Sequence, residues 1–540
     1  MATESTTQPT STSSDELYKY GRDRASLKHK NGLASEEGEN VQVGQSEELT
    51  CYSSELVKSR STFQVAFMSF VLASIPYGLA TSLFYPLANG GPATMIWGWL
   101  GVSLVIFCVA VSLGEITSVY PTAGGVYYQT FMLSPARWRK LASWICGWSY
   151  VAGNILITLA VNFGTTLFLV GCINVFESAP GVGVFEAETY QVFLIFVAIT
   201  LFCNSVSSLG NRWLPLLDTF AIFWTFAGLI AIVVCTLSLA KHGRHTSRYA
   251  FGHFEPLSGW TPGWAFCVGL LHAAYATSST GMIISMSEEV RFPKTQVPRA
   301  MVGTIILNTI AGLLLLVSLA FVLPDLEVLI SIEQPTPVII KSAVGSAGAA
   351  FGLLIPLIVL AIICGIGCTT AASRCTWAFA RDGAIPASHL WRQVNRTLQI
   401  PLNAMMLSMV VQIVVGAIYF GSATAFNSFS SAGVIFLTVS YATPIAVSFF
   451  QGRKQVKDGA FHLGQFGAFC NVVAICWSLL AIPLFCMPSF LPVTASTVNY
   501  ASVVFVGFVL VATFWYWVWG YRNYQGPPVV GHGYVDHTLE

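Results

Sequence analysis

His272 is the one histidine within the apolar stretches of this 540-residue chain. An imidazole of unperturbed pKa about 6.5 exchanges protons near neutral pH, so it is a candidate for proton coupling; a satisfied core histidine is the commoner case. Tyr275 lies three residues further on, and Tyr77 sits in an earlier apolar stretch. Two such rings facing one cavity would hold an ammonium group by cation–π contact worth about 1–2 kcal/mol when desolvated, against ring packing between helices as the plainer alternative. Glu115, Glu288 and Glu289 stand at the ends of apolar stretches, the last two near Arg291 and Arg299. Carboxylates there act either as gates whose ion pairs break and re-form or as interfacial anchors. Trp148, Tyr150, Asn154, Cys368 and Thr369 are weaker candidates by position, and Asp218 falls near an interface with no chemical role expected. Cys364 and Cys368 lie one helical turn apart without a histidine pair and read as packing. No H-E-x-x-H motif, paired aspartates or phosphate-binding G-x-x-x-x-G-K-[ST] loop occurs, so neither an enzyme nor an ATP-driven pump is expected, and no cofactor or metal.

The elements that must position these residues are set by composition. Hydrophobic residues make up 54% of the chain and charged residues 9%, which excludes a soluble domain. Apolar runs of about 20 residues or more, enough to cross a bilayer, begin near Phe63, Thr94, Leu141, Tyr190, Trp213, Pro262, Met301, Gly345, Asn403, Phe426, Gly464 and Val498. The expectation is an all-α polytopic membrane protein of twelve spans in contact with lipid. Lys and Arg crowd alternate loops, at Lys58 and Arg60, Arg137 to Lys140, Arg212, Arg291 to Arg299, Arg381 to Arg396, Arg453 to Lys457, and Arg522, which places those loops and both termini in the cytoplasm. Lys241, Arg244 and Arg248 disobey the rule and are outvoted. His242, His245 and His253 in that loop lack a completing ligand set and read as solvated. Asn395 begins a sequon in a cytoplasmic loop and should stay unglycosylated. The net charge of +1 gives no reason to expect a nucleic-acid partner. The thirteen cysteines fall mostly in apolar runs, and no disulfide framework is expected.

The run "ASIPYGLATSLFYPLANGGP" (Ala73 to Pro92) interrupts the first span with Pro76 and Gly78 around Tyr77. Unwound backbone survives at membrane depth only where it is buried in protein or lines a cavity. A lone proline would read as a kink, but a second irregular run, "LHAAYATSSTGMIISMSEEV" (Leu271 to Val290), lies five spans later. Interruptions at corresponding positions of two halves mark an inverted-repeat transporter with its substrate between the broken spans. Ser74, Ile75, Pro76, Tyr77 and Gly78, with His272, Tyr275, Thr277, Ser278 and Gly281, are therefore the expected substrate-binding residues. Glu115, His272, Glu288, Glu289 and Arg299 are the expected proton-coupling or gating residues.

The motifs "GGPATMIWGW" (Gly90 to Trp99), "SLGEITSVYPTAGGVYYQ" (Ser112 to Gln129), "SEEVRFPKTQVPRAM" (Ser287 to Met301), "FARDGAIPASHLWRQVN" (Phe379 to Asn395) with "IPLNA" (Ile400 to Ala404), and "LPVTASTVNY" (Leu491 to Tyr500) resemble the fungal amino acid/choline permeases of the amino acid–polyamine–organocation superfamily. The last two most resemble the choline permease branch. The resemblance implies a five-plus-five inverted repeat with discontinuous helices 1 and 6 and two added helices. It also implies proton-linked import of a small amine or amino acid across the plasma membrane, a vacuolar or other internal membrane being the alternative. The implied organisation is a disordered cytoplasmic tail at 1–60, one repeat at 61–240, an extracellular loop at 241–261, the second repeat at 262–452, helices 11 and 12 at 453–521 and a cytoplasmic tail at 522–540. Aligning on Ser287 to Val290 puts Gly281 where relatives commonly carry an aspartate. Choline is accordingly expected to be a poor substrate, because burying its fixed charge without a counter-ion costs several kcal/mol. Alternatives are a choline permease proper, a carrier of an alkaloid-like product or precursor, and a non-transporting nutrient sensor.

Overall fold

The computed structural model describes residues 69–179, 182–494 and 498–528; the expected tail at 1–60 and the end of the one at 522–540 lie outside them. Twelve described helices are long and apolar enough to cross a bilayer: Ser69–Ala88, Gly91–Val119, Arg139–Ile173, Thr189–Leu209, Leu214–Leu239, Pro262–Glu289, Pro293–Ala320, Ala347–Arg381, Leu402–Phe420, Phe426–Phe450, Gly464–Leu484 and Ala501–Asn523. They are numbered here as spans 1 to 12. Span 7 starts at Pro293, ahead of the expected Met301, because its first two turns are polar and lie beyond the apolar run that marks the span in sequence.

The packing of spans 1 to 10 is closed under exchange of span n with span n+5. Spans 1 and 6, 2 and 7, and 3 and 8 pack as pairs. Span 3 packs on span 10 and span 8 on span 5; span 2 on span 10 and span 7 on span 5; span 4 on span 8 and span 9 on span 3. The connecting helices obey the same exchange. Gly125–Leu133 lies on spans 3 and 10, and Pro335–Val344 on spans 8 and 5. Five is odd, so equivalent spans cross in opposite senses, and the repeat is inverted. Spans 11 and 12 sit outside it, against spans 2 and 10 and spans 3 and 10 respectively.

Burial follows from this arrangement. Spans 1 and 6, the ones with the irregular sequences, are each 83% buried, whereas span 12 is 17% buried, so only the peripheral helices meet the chain's surroundings with most of their surface. Leu104, Phe223, Val414 and Phe514 are among the exposed apolar side chains, as expected where lipid replaces water. The loops after spans 2, 4, 6, 8 and 10 gather at one end, tied by Glu115 to Arg453, Ala123 to Glu288, Glu288 to Arg381, and Arg374 to Asn211. These are the basic loops. The loop of Lys241 lies at the other end, where the Lys241 amide donates to Ala343; helix parity decides its side, whatever its charge. A two-stranded antiparallel ribbon, Glu177–Ala179 with Val182–Gly183, decorates that same end.

Candidate functional site

Span 1 breaks at Ser74, which has left-handed dihedrals (φ 37°, ψ 48°), and not around Tyr77 as expected. Pro76 falls in the first turn of the following helix, Ile75–Thr81, where its missing N–H is no loss. Proline excludes a bond to the carbonyl four residues back, here Leu72. That oxygen accepts instead from Ser279 Oγ of span 6 at 2.8 Å and Cys364 Sγ of span 8 at 3.7 Å, and Ser74 Oγ donates to the Val71 carbonyl. The unwound carbonyls are thus capped by three spans. Gly78 is helical and does not break the span. A Cβ there would stand 3.3 Å from Ala276, so glycine is what lets spans 1 and 6 cross in contact.

The expected facing of Tyr77 and Tyr275 is not formed. Tyr77 turns to span 3, where its hydroxyl meets the Val161 carbonyl and Thr165 Oγ1, both at 2.9 Å, and its ring lies edge-on to Phe168. In span 6 the α-helix Leu271–Thr277 tightens into a 3₁₀ run, Ser278–Glu289. The polar string supports this geometry rather than presenting free hydroxyls: Ser278 Oγ donates to the Tyr275 carbonyl and Thr280 Oγ1 to that of Thr277, each at 2.7 Å. Two tyrosines from the flanking spans bind the same segment, Tyr441 OH donating to the Ser278 carbonyl at 3.2 Å and Tyr150 OH to that of Gly281 at 3.3 Å. A Cβ on Gly281 would fall 2.6 Å from the Tyr441 ring.

His272 is buried, with Nδ1 3.0 Å from Ser82 Oγ. The Ser82 hydroxyl donates to the Gly78 carbonyl at 2.7 Å, so it accepts from Nδ1, which carries the hydrogen. Nε2 is left as a buried acceptor without a partner.

A cavity of about 440 Å³ opens at the end opposite the basic loops, within the size range of small-molecule sites. Its walls come from spans 1, 3, 6, 9 and 10, with Ser82, Tyr85, Phe163, Tyr275, Tyr419 and Phe426 among them, and its rim from the loops after spans 7 and 11, with Glu333 and Gln334 on the first and Phe490 and Asn499 on the second. Of the ten expected binding residues only Tyr275 lines it. Thr277, Ser278 and Gly281 line a separate chamber of about 30 Å³ with Tyr441 and Trp477. Ser74, Ile75, Pro76, Tyr77, Gly78 and His272 line neither.

At the basic end the path is sealed. Glu288 takes a two-pronged bond from Arg381 (3.0 and 3.1 Å) and accepts from the Ala123 amide at 3.0 Å. Glu289 pairs with fully buried Arg374 at 2.8 Å. Arg381 also lies 4.5 Å over the Trp377 ring. The expected partners Arg291 and Arg299 do not take part: both are exposed, because the carboxylates at the end of span 6 turn inward to span 8. Glu115 is buried among Arg453, His462 at 3.4 Å and the Leu463 amide at 2.8 Å, and so clamps span 2 to the loop after span 10.

The family model for amino acid permeases matches residues 61–510. The chain belongs to the amino acid permease family. Among the permease's relatives, a choline transporter of Saccharomyces cerevisiae is 29% identical over 87% of this chain and 82% of its own. An amino-acid permease homolog of Oryza sativa subsp. japonica is 30% identical, covering 86% and 91%, and a polyamine transporter of S. cerevisiae is 29% identical, covering 84% and 74%. The permease is a multi-pass secondary transporter, not an enzyme. Sequence reasoning missed the walls from spans 3 and 10 and the rim at Glu333. On a helix apolar all round, the cavity-facing positions carry no period of their own. The hydroxyl cluster Ser428, Ser430 and Ser431 at the start of span 10 was the available signal.

Proposed function

We propose that the permease imports a small amine or amino acid across the plasma membrane by alternating access, driven by the proton gradient. The observation that carries this reading is one cavity between broken spans 1 and 6, open at one end and closed by Glu288–Arg381 and Glu289–Arg374 at the basic, cytoplasmic end. Release into the cytoplasm requires those ion pairs to part while the outer walls close over Tyr275. The relatives named for choline, amino acids and polyamines support cargo of that size and chemistry. For the proton, His272 has the required form, a buried imidazole linked to the cavity wall through Ser82, with Nε2 unpartnered. Choline remains a poor fit further in, at the small chamber lined by Gly281, where no charged side chain supplies a counter-ion.

The test is uptake of labelled amines and amino acids into liposomes holding the purified protein. Accumulation should rise as external pH falls, collapse with a protonophore and ignore sodium. His272→Ala should lose accumulation against a gradient while exchange across the membrane persists. Accumulation that follows sodium refutes the coupling, and binding without any flux refutes the carrier.

A further inference from the structure

Glu333 lies in the loop between Leu326–Ile330 and Pro335–Val344 and reaches the rim of the large cavity. Among the described residues that line this cavity it is the one with a formal charge; no Lys, Arg or His stands with it. It has no ion pair or hydrogen bond among the described residues. The cation of the neighbouring helix, Lys341, is already held by Glu177 at 2.7 Å. Next to Glu333, Gln334 Oε1 is a buried acceptor without a partner. The helix that starts there offers little to an anion, because Pro335 and Pro337 remove two of the first three N–H groups. Tyr419 stands on the same cavity wall, and Tyr85, Tyr275 and Phe426 complete an aromatic lining.

We propose that this rim is a capture site for a protonated primary or secondary amine, with Glu333 as its counter-ion and Gln334 Oε1 accepting an N–H. This deepens the carrier reading above and rests on it. A carboxylate at the mouth of a cavity whose lining holds no other formal charge draws cations towards it ahead of transport, and the tyrosine rings add attraction to the same charge. A quaternary ammonium meets the carboxylate but has no N–H for Gln334, and an anion is repelled. The order of preference is therefore amine with N–H, then quaternary ammonium, then neutral or anionic molecules of the same shape. The loop is tied to span 1 through Thr336 Oγ1, which donates to the Ala80 carbonyl at 2.7 Å, so the capture site stands beside the broken span.

Four probes built on one phenyl ring test this: benzylamine, benzyltrimethylammonium, benzyl alcohol and benzoate, titrated calorimetrically into the purified full chain at pH 7. Native protein should bind benzylamine about tenfold tighter than benzyl alcohol, the worth of a charge-assisted hydrogen bond, with benzyltrimethylammonium between them and benzoate weakest. Glu333→Gln should erase the gap between benzylamine and benzyl alcohol, and Glu333→Asp should keep part of it. The side chain is exposed, so neither variant should disturb folding, which gel filtration and thermal unfolding check. The capture site is refuted if native protein binds no probe, if benzyl alcohol or benzoate matches benzylamine, or if Glu333→Gln keeps the gap. Uptake of labelled benzylamine into liposomes separates the two readings: flux equal in native protein and Glu333→Gln removes the capture site and leaves the carrier, whereas Glu333-dependent binding without flux of any substrate removes the carrier and leaves the site.

Discussion

The Tyr441 ring occupies the volume that any side chain at position 281 would need, since a Cβ on Gly281 would stand 2.6 Å from it. A small residue here is therefore matched to a large one on span 10, and adding a carboxylate means moving a ring whose hydroxyl also holds the Ser278 carbonyl. Gly281→Asp alone is expected to cost about 1–3 kcal/mol through overpacking, read as a lower unfolding temperature in detergent. Combined with Tyr441→Ala, which empties that volume, the aspartate should fit, and choline should then compete against the labelled substrate more strongly than it does in native protein. If the single variant unfolds like native protein, the ring is not the obstacle; if choline competes no better in the double variant, the missing counter-ion is not what limits it.

At the scale of elements, what sets span 1 apart is a single turn in which Ser74 is left-handed and Pro76 starts a new helix. Gly78 matters in the next turn, because spans 1 and 6 touch there through Ala276 at 3.3 Å. Gly78→Val adds a branched side chain to that crossing and pushes the two broken helices apart. It should abolish uptake and lower stability by about 1–3 kcal/mol, while Ala276→Gly in the same chain should return part of both. Uptake and unfolding temperature together report whether the crossing carries the motion. A Gly78→Val protein with native transport would show that the two helices need not touch.

Over the whole molecule, one end is closed by ion pairs and the other is open, and the pairs differ in depth. Arg374 is fully buried and held by Glu289, Ser373 and Asn211. Removing its carboxylate partner by Glu289→Gln leaves a buried guanidinium uncompensated, expected to cost about 3–5 kcal/mol. Glu289→Gln with Arg374→Met removes both charges and should recover most of the lost stability in thermal unfolding. The double variant separates structure from gating: a stable protein that no longer seals the basic end should exchange substrate but fail to accumulate it. If Glu289→Gln alone is as stable as native protein, the pair does not close the bundle.

Length, apolarity and the alternation of basic loops determined the twelve spans and their common end, because crossing a hydrocarbon layer requires about 20 apolar residues whatever they pack against. The two irregular runs also marked the broken spans, since backbone polar groups at that depth need partners that a plain helix does not lack. Which side chains meet was another matter. Glu288 and Glu289 pair with Arg381 and Arg374 of span 8, some ninety residues away, rather than with Arg291 and Arg299 close by in sequence, because only the packing of span 6 on span 8 brings the inward-facing groups together. Pro76 and Gly78 carried the signal of a break, but tertiary contacts from Ser279 and Cys364 to the Leu72 carbonyl placed it at Ser74. Spans 3 and 10 added walls to the cavity beside those of spans 1 and 6, and their apolar faces look alike in sequence on every side. Tyr441, Phe426 and Glu333 acquire their roles only once two inverted halves close around the same space.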